Sequence, residues 1–193
     1  GESDDDGAGP AANAFVAVML FIGADFMFFA GLIGAFLVFR FGVLDWPPPD
    51  QPRLPVAVTG LNTTFLLVSG YTMLRTWRHL THWTGERVFK SLAITSLLGT
   101  AFLLGQGYEW VRLLRFGLTL SSSVYGGIFY VLIGCHALHV LAAVVWLGAV
   151  VAKLKFRPPV NLSSASLSIK LAGMYWLLVV GLWPLLYGLV YLS

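Results

Sequence analysis

The side chains of greatest chemical potential in this 193-residue sequence are few, and they lie in apolar surroundings. Asp25 falls near the middle of an apolar run, between Phe21-Ile22-Gly23-Ala24 and Phe26-Met27-Phe28-Phe29. A carboxylate at the centre of a bilayer costs about 2.5–3.5 kcal/mol on insertion scales, less if it is protonated or meets a polar partner. Asp25 therefore has two readings: an acid hydrogen-bonded to a neighbouring helix, or an intramembrane carboxyl that exchanges a proton or orders a lipid. Gln106 and Glu109 stand three residues apart on one run, as do His136 and His139 on another. Each pair thus shares a helical face. Two histidines and a carboxylate on separate helices are a thin metal-ligand set, although haem needs only one or two axial residues. The pattern favours a buried polar network of Asn62, Gln106, Glu109, His136 and His139 that ties helices together, with Ser69, one heptad beyond Asn62, fitting the same account. On this reading the chain carries no catalytic, metal or cofactor-binding residue of its own.

The elements that must position these groups follow from composition. The chain is 58% hydrophobic and only 11% charged, with a mean hydropathy of +0.80, whereas a soluble domain carries roughly 25% charged residues. So few charges cannot cover so much apolar surface, and lipid must cover it. Five apolar runs predict helices at about 14–40, 54–75, 88–113, 124–153 and 168–192, each long enough for a core about 30 Å thick. They are continuous and do not alternate, which favours helices over barrel strands. The expected fold is all-α: a tail at 1–13, acidic (Glu2, Asp4, Asp5, Asp6) and disordered, then a single five-helix transmembrane domain at 14–193. Loops are expected at 45–50, 75–90, 153–159 and 161–166.

Charge placement supplies an orientation. Arg75, Arg78, Arg87, Lys90, Lys153, Lys155, Arg157 and Lys170 fall on the side of the N-terminus, and Arg40, Arg53, Arg112 and Arg115 on the other. The excess predicts a cytoplasmic N-terminus and a periplasmic C-terminus. His79 and His82, with Trp77 and Trp83, read as interfacial anchors. The single cysteine, Cys135, reads as a small core residue. No Cys-x-x-Cys, Gly-x-Ser-x-Gly, phosphate loop or zinc-protease helix occurs in the sequence.

Taken in order, several short stretches resemble subunit III of the haem-copper oxidases, the cytochrome c and quinol oxidases. Asp25-Phe26-Met27-Phe28-Phe29-Ala30-Gly31-Leu32 is similar to the family's Ser-Glu-x-Met-Phe-Phe-Ala-Gly-Leu, with Asp25 in place of its intramembrane Glu. Leu61-Asn62-Thr63, Gly105-Gln106-Gly107-Tyr108-Glu109-Trp110 and Gly134-Cys135-His136-Ala137-Leu138-His139-Val140 look like its Leu-Asn-Thr, Gly-Gln-x-x-Glu-Tyr and Gly-Phe-His-Gly-Leu-His-Val. The last helix departs: Tyr175-Trp176-Leu177-Leu178-Val179-Val180 keeps the aromatics, but Leu177 and Val180 replace a His and an Asp.

The resemblance implies the five-helix bacterial form, a multi-pass protein of the inner membrane. It implies a non-catalytic subunit in aerobic electron transport, packed beside catalytic subunit I and further oxidase subunits. Haem and copper are expected in that partner and none in this chain. Bound phospholipid, support of proton uptake and membership of a larger respiratory supercomplex are further expectations, and no nucleic-acid partner is expected. Three rival readings make different demands. An accessory subunit of a nitric oxide reductase would share the five-helix pattern and the altered last helix. A small proton-coupled transporter would need inverted repeats and broken helices. A haem enzyme would use His136 or His139 as an axial ligand.

Overall fold

The computed structural model describes residues 8–42, 56–117, 124–156 and 162–192, and all their regular structure is helical. Five helices follow one another: α1 (Ala8–Gly42), α2 (Val56–His79), α3 (Gly85–Arg115), α4 (Val124–Phe156) and α5 (Leu162–Tyr191). The segments at 45–50 and 157–161 lie outside the described residues.

Each helix runs beyond its expected limits at one end or both. The segment expected as a 75–90 loop contracts to 80–84, because the charged residues on either side continue α2 and α3. Lipid limits where charges can lie, not where a helix must stop, so Arg75, Arg78 and Lys90 are accommodated on helix that protrudes into water. Likewise α1 begins at Ala8, inside the stretch expected as a disordered tail. The good helix formers Ala11 and Ala12 extend the apolar run backwards. At the far end of α3, Gly117 takes φ +88, a left-handed conformation that costs glycine little. The Gly117 amide returns to the Leu114 carbonyl and that of Phe116 to Arg112, so the exposed carbonyls of the last turn are capped.

Four helices, α1, α3, α4 and α5, are long and apolar enough to cross a membrane. The remaining one, α2, is less apolar because its buried side carries Thr59, Asn62, Thr63, Ser69 and Thr76. Thr63 accepts from Trp183 of α5, while Thr59, Asn62 and Thr76 bond to α3. That helix in turn buries Val88, Leu92, Thr95, Gly99, Phe102, Gln106, Glu109 and Leu113, at steps alternating between four and three. The repeat is that of helices lying side by side in a left-handed supercoil. Cross-links fix the antiparallel register: Thr76 to Ser91 at 2.6 Å, Thr72 to Thr95 at 2.7 Å and Thr59 to Glu109 at 2.7 Å. In lipid an apolar seam has no hydrophobic drive, so small residues and hydrogen bonds must hold the pair.

The helices α2 to α5 close a ring of antiparallel neighbours, α2 on α3, α3 on α4, α4 on α5 and α5 back on α2. Trp176 and Trp183 of α5 are fully buried within it. Gly99 of α3 makes room for Trp176, since a methyl there would run into the indole. Val180, where the resemblance expects an Asp, packs into the notch at Gly70 of α2, 2.7 Å from where a methyl on that glycine would lie. Leu177 joins the apolar core. The first helix lies outside the ring against α4 and α5, burying Asp25, Phe29 and Phe36. Its small residues Gly23, Gly31 and Gly34 meet nothing among the described residues.

Gly99→Ala is expected to destabilise the chain by about 1–3 kcal/mol, because the Trp176 ring has no free volume to move into. Gly31→Ala should leave stability unchanged or slightly improved. Detergent-induced unfolding of both variants checks the contrast, and equal midpoints would refute the packing of Trp176 against Gly99.

Candidate functional site

Two polar groups are built into the helices, and they lie apart. The first is inside the four-helix ring. Thr59 Oγ1 donates to Glu109 Oε2 at 2.7 Å, and Gln106 Nε2 donates to the Tyr191 hydroxyl at 3.1 Å. Glu109 and Gln106 share a face of α3, so both reach inward from one helix and tie it to α2 and α5. Asn62 Nδ2 donates to the Phe102 carbonyl at 3.0 Å. This contact with backbone depends on Gly105, since a methyl at that position would sit 2.5 Å from Asn62 Oδ1. Trp183 Nε1 then donates to Thr63 Oγ1 at 2.8 Å, and Thr63 Oγ1 to the Thr59 carbonyl at 2.7 Å, which joins α5 to the same seam. A cross-helix hydrogen bond of this kind contributes about 0.6 kcal/mol on average and up to about 1.7.

The second group lies where α1 meets α4 and α5. His139 Nε2 stands 3.3 Å from Asp25 Oδ1, while His139 Nδ1 stands 2.6 Å from the Cys135 carbonyl. A carbonyl oxygen only accepts, so Nδ1 carries the hydrogen of that bond. In the neutral ring Nε2 then has none and is an acceptor facing the Asp25 carboxyl. The imidazole thus gives Asp25 a polar partner on another helix, which is how an acid is tolerated in apolar surroundings. The Tyr175 hydroxyl lies beside Asp25. Aromatic rings enclose the imidazole: Phe29 lies edge-on at 5.0 Å and Phe28 is stacked at 6.1 Å. His136, one helical turn back, stacks on Trp183 at 5.1 Å, and neither of its ring nitrogens has a hydrogen-bond partner among the described residues. Leaving such a group unsatisfied costs about 1–3 kcal/mol. A cavity of about 10 Å³ adjoins Asp25, His136 and His139, at most the size of one water.

The polar residues singled out from spacing are all buried or partly buried on inward faces, but they do not form one network. Asn62, Gln106 and Glu109 belong to the ring interior, His139 pairs with Asp25, and His136 lies between aromatic rings. Ser69 does not cross between helices, bonding instead to the Leu66 carbonyl of its own helix. Thr59, Thr63, Tyr175 and Tyr191 were missed, because hydroxyl side chains are ordinary in helices and nothing in their own run marks a partner on another. The one usable signal was Thr59, three residues before Asn62 on the same face. Among the described residues, no three His, Cys, Asp or Glu side chains converge in a way that would hold a metal ion.

Fold and site together define a multi-pass helical membrane protein with a hydrogen-bonded interior and an acid–imidazole pair midway along α1 and α4. A family model described as cytochrome c oxidase subunit III matches residues 12–193. "Cytochrome c oxidase subunit 3" of Synechocystis sp. is 33% identical over 176 residues, covering 91% of this chain and 73% of that protein. The Bacillus subtilis protein of the same name is 30% identical over 181 residues, covering 93% and 86%. "Probable cytochrome c oxidase subunit 3" of Mycobacterium leprae is 34% identical over 185 residues, covering 91% and 86%. The chain belongs to the cytochrome c oxidase subunit III family.

A double-mutant cycle between Asp25→Ala and His139→Ala is expected to give a coupling energy of about 0.6–2 kcal/mol in detergent unfolding. The same cycle between Asp25→Ala and Glu109→Ala should be additive within about 0.5 kcal/mol, since the two residues belong to separate groups. Equal coupling in both cycles would mean one continuous network.

Proposed function

We propose that the chain serves as the non-catalytic subunit III of a respiratory haem-copper oxidase, stabilising catalytic subunit I and supporting its proton uptake while holding phospholipid beside α1. The observation that carries this reading is the Asp25–His139 pair, a carboxyl and an imidazole 3.3 Å apart, midway along α1 and α4. A carboxyl and an imidazole in contact can each hold a transferred proton in turn, which suits a supporting role in proton delivery. Family membership supports a place among other oxidase subunits. Haem and copper then belong to the partner, and the chemistry they supply there is oxygen reduction. What this chain contributes is a proton-sharing site and a rigid ring of helices.

The outward surface of α1 supports a neighbour or ordered lipid on that side. Met27 is 76% exposed and the small residues Ala30, Gly31, Gly34 and Ala35 are open. A cytoplasmic N-terminus and periplasmic C-terminus in a bacterial inner membrane are in keeping with the excess of Lys and Arg on the N-terminal side. Each helix runs unbroken through the described residues, so the broken helices a transporter reading asks for gain no support from the fold.

An affinity-tagged chain purified in mild detergent should bring with it a catalytic subunit with haem absorbance and copper. Asp25→Ala and His139→Ala should each shorten the working life of that complex and slow its proton uptake, leaving its spectrum unaltered. Purification without a haem-copper partner would refute the assignment. Normal uptake and lifetime in both variants would make the pair purely structural.

A further inference from the structure

Glu109 belongs to a set of four side chains inside the helix ring whose hydrogens do not suffice if its carboxyl is ionised. Gln106 Nε2 donates to the Tyr191 hydroxyl at 3.1 Å, Tyr191 is hydrogen-bonded to Thr59, and Thr59 Oγ1 donates to Glu109 Oε2 at 2.7 Å. Gln106 and Glu109 stand three residues apart on one face of α3, which brings the two ends of this chain together. Of these four side chains, the atoms left without a partner among the described residues are Glu109 Oε1 and Gln106 Oε1. Both residues are shut off from the surface, Gln106 being 2% and Glu109 1% exposed. A closed circuit therefore needs a fourth contact, between two oxygens that by themselves only accept.

Each contact uses one hydrogen. The Thr59 and Tyr191 hydroxyls supply one apiece. Gln106 turns its NH2 to one neighbour and its oxygen to the other, so it supplies one more whichever way round the amide lies. Three hydrogens cover four contacts only when Glu109 brings the fourth, as a carboxylic acid. An ionised Glu109 would leave both orphan oxygens unserved and its charge without a counterion. Arg112, three residues on, is the cation whose field reaches it. Its guanidinium is exposed and lies over the Tyr108 ring, 5.9 Å from the centre, and it makes no ion pair with Glu109. Tyr125 of α4, the other titratable group beside the circuit, is a neutral phenol. A buried carboxylate without a counterion is far costlier than the neutral acid.

We propose that Glu109 is a neutral acid at neutral pH, its proton lying between Oε1 and the Gln106 oxygen and closing a circuit of four hydrogen bonds that joins α2, α3 and α5. The ring interior thus holds a proton of its own, separate from the Asp25–His139 pair and independent of any part that pair plays in proton uptake. Infrared spectroscopy of the full chain, purified in mild detergent with its companion subunits, tests the assignment. At neutral pH a carboxylic-acid C=O stretch that shifts in D2O should be present, be lost in Glu109→Gln and persist in Asp25→Asn. The amide of Glu109→Gln accepts from Thr59 and donates to Gln106, so it supplies the fourth hydrogen as the neutral acid does. Its unfolding midpoint should match that of the unaltered chain, whereas Glu109→Ala and Tyr191→Phe should lower it. Loss of a carboxylate band from Glu109→Gln, with no acid band lost, overturns the proposal. So does a Glu109→Gln chain that fails to assemble or unfolds as readily as Glu109→Ala. A carboxylate band together with a midpoint that rises with added sodium or potassium would also overturn it, by giving the two oxygens to a bound cation.

Discussion

Hydrogen bonding without water is the constraint on which this structure depends. Inside a bilayer a polar side chain has only other protein groups to bond with, and the α2–α3 seam meets that demand through hydroxyls, one amide and one carboxyl in a fixed antiparallel register. The same requirement explains why α2 is less apolar than α1, α4 and α5. Its threonines and asparagine are turned away from lipid, so its composition describes what it packs against and not the solvent around the molecule. Trp183 and Tyr191 then attach α5 to that seam, and the ring closes on a core in which the large indoles fill the centre.

The first helix answers the same constraint differently. It touches the ring along a narrow stripe, and the one acid it buries is met by His139 on α4. The Cys135 carbonyl fixes which ring nitrogen bears the hydrogen, and that assignment turns the acceptor nitrogen of the neutral ring toward Asp25. The geometry gives the carboxyl a polar partner in otherwise apolar surroundings.

The last helix meets α2 through apolar packing as well as through hydrogen bonds. Where the resemblance expects His and Asp, Leu177 joins the core and Val180 seats against Gly70. The contact between α2 and α5 there is close van der Waals packing, as membrane helices allow when a glycine lets the backbones approach. Among the other polar groups of α5, Trp183, Tyr187 and Tyr191 bond into the ring, and the Tyr175 hydroxyl lies beside Asp25.

Sequence alone determined that the chain is helical and membrane-embedded, because long uninterrupted apolar runs with few charges leave no other way to satisfy the backbone in lipid. It also determined which acids, amides and imidazoles point inward, since residues three apart share a helical face whatever surrounds them. Helix ends were legible only roughly, as the extension of α2 and α3 past the 75–90 segment illustrates. The pairing of side chains on different helices could not be read at all. Periodicity gives the direction of a side chain about its own axis, and carries no information on the axial offset between one helix and the next. That offset is set by packing, by Gly99 admitting Trp176, Gly70 admitting Val180 and Gly105 admitting Asn62. It was therefore the tertiary structure that divided one expected polar network into two, gave Asp25 to His139 and Glu109 to Thr59, and left His136 between aromatic rings.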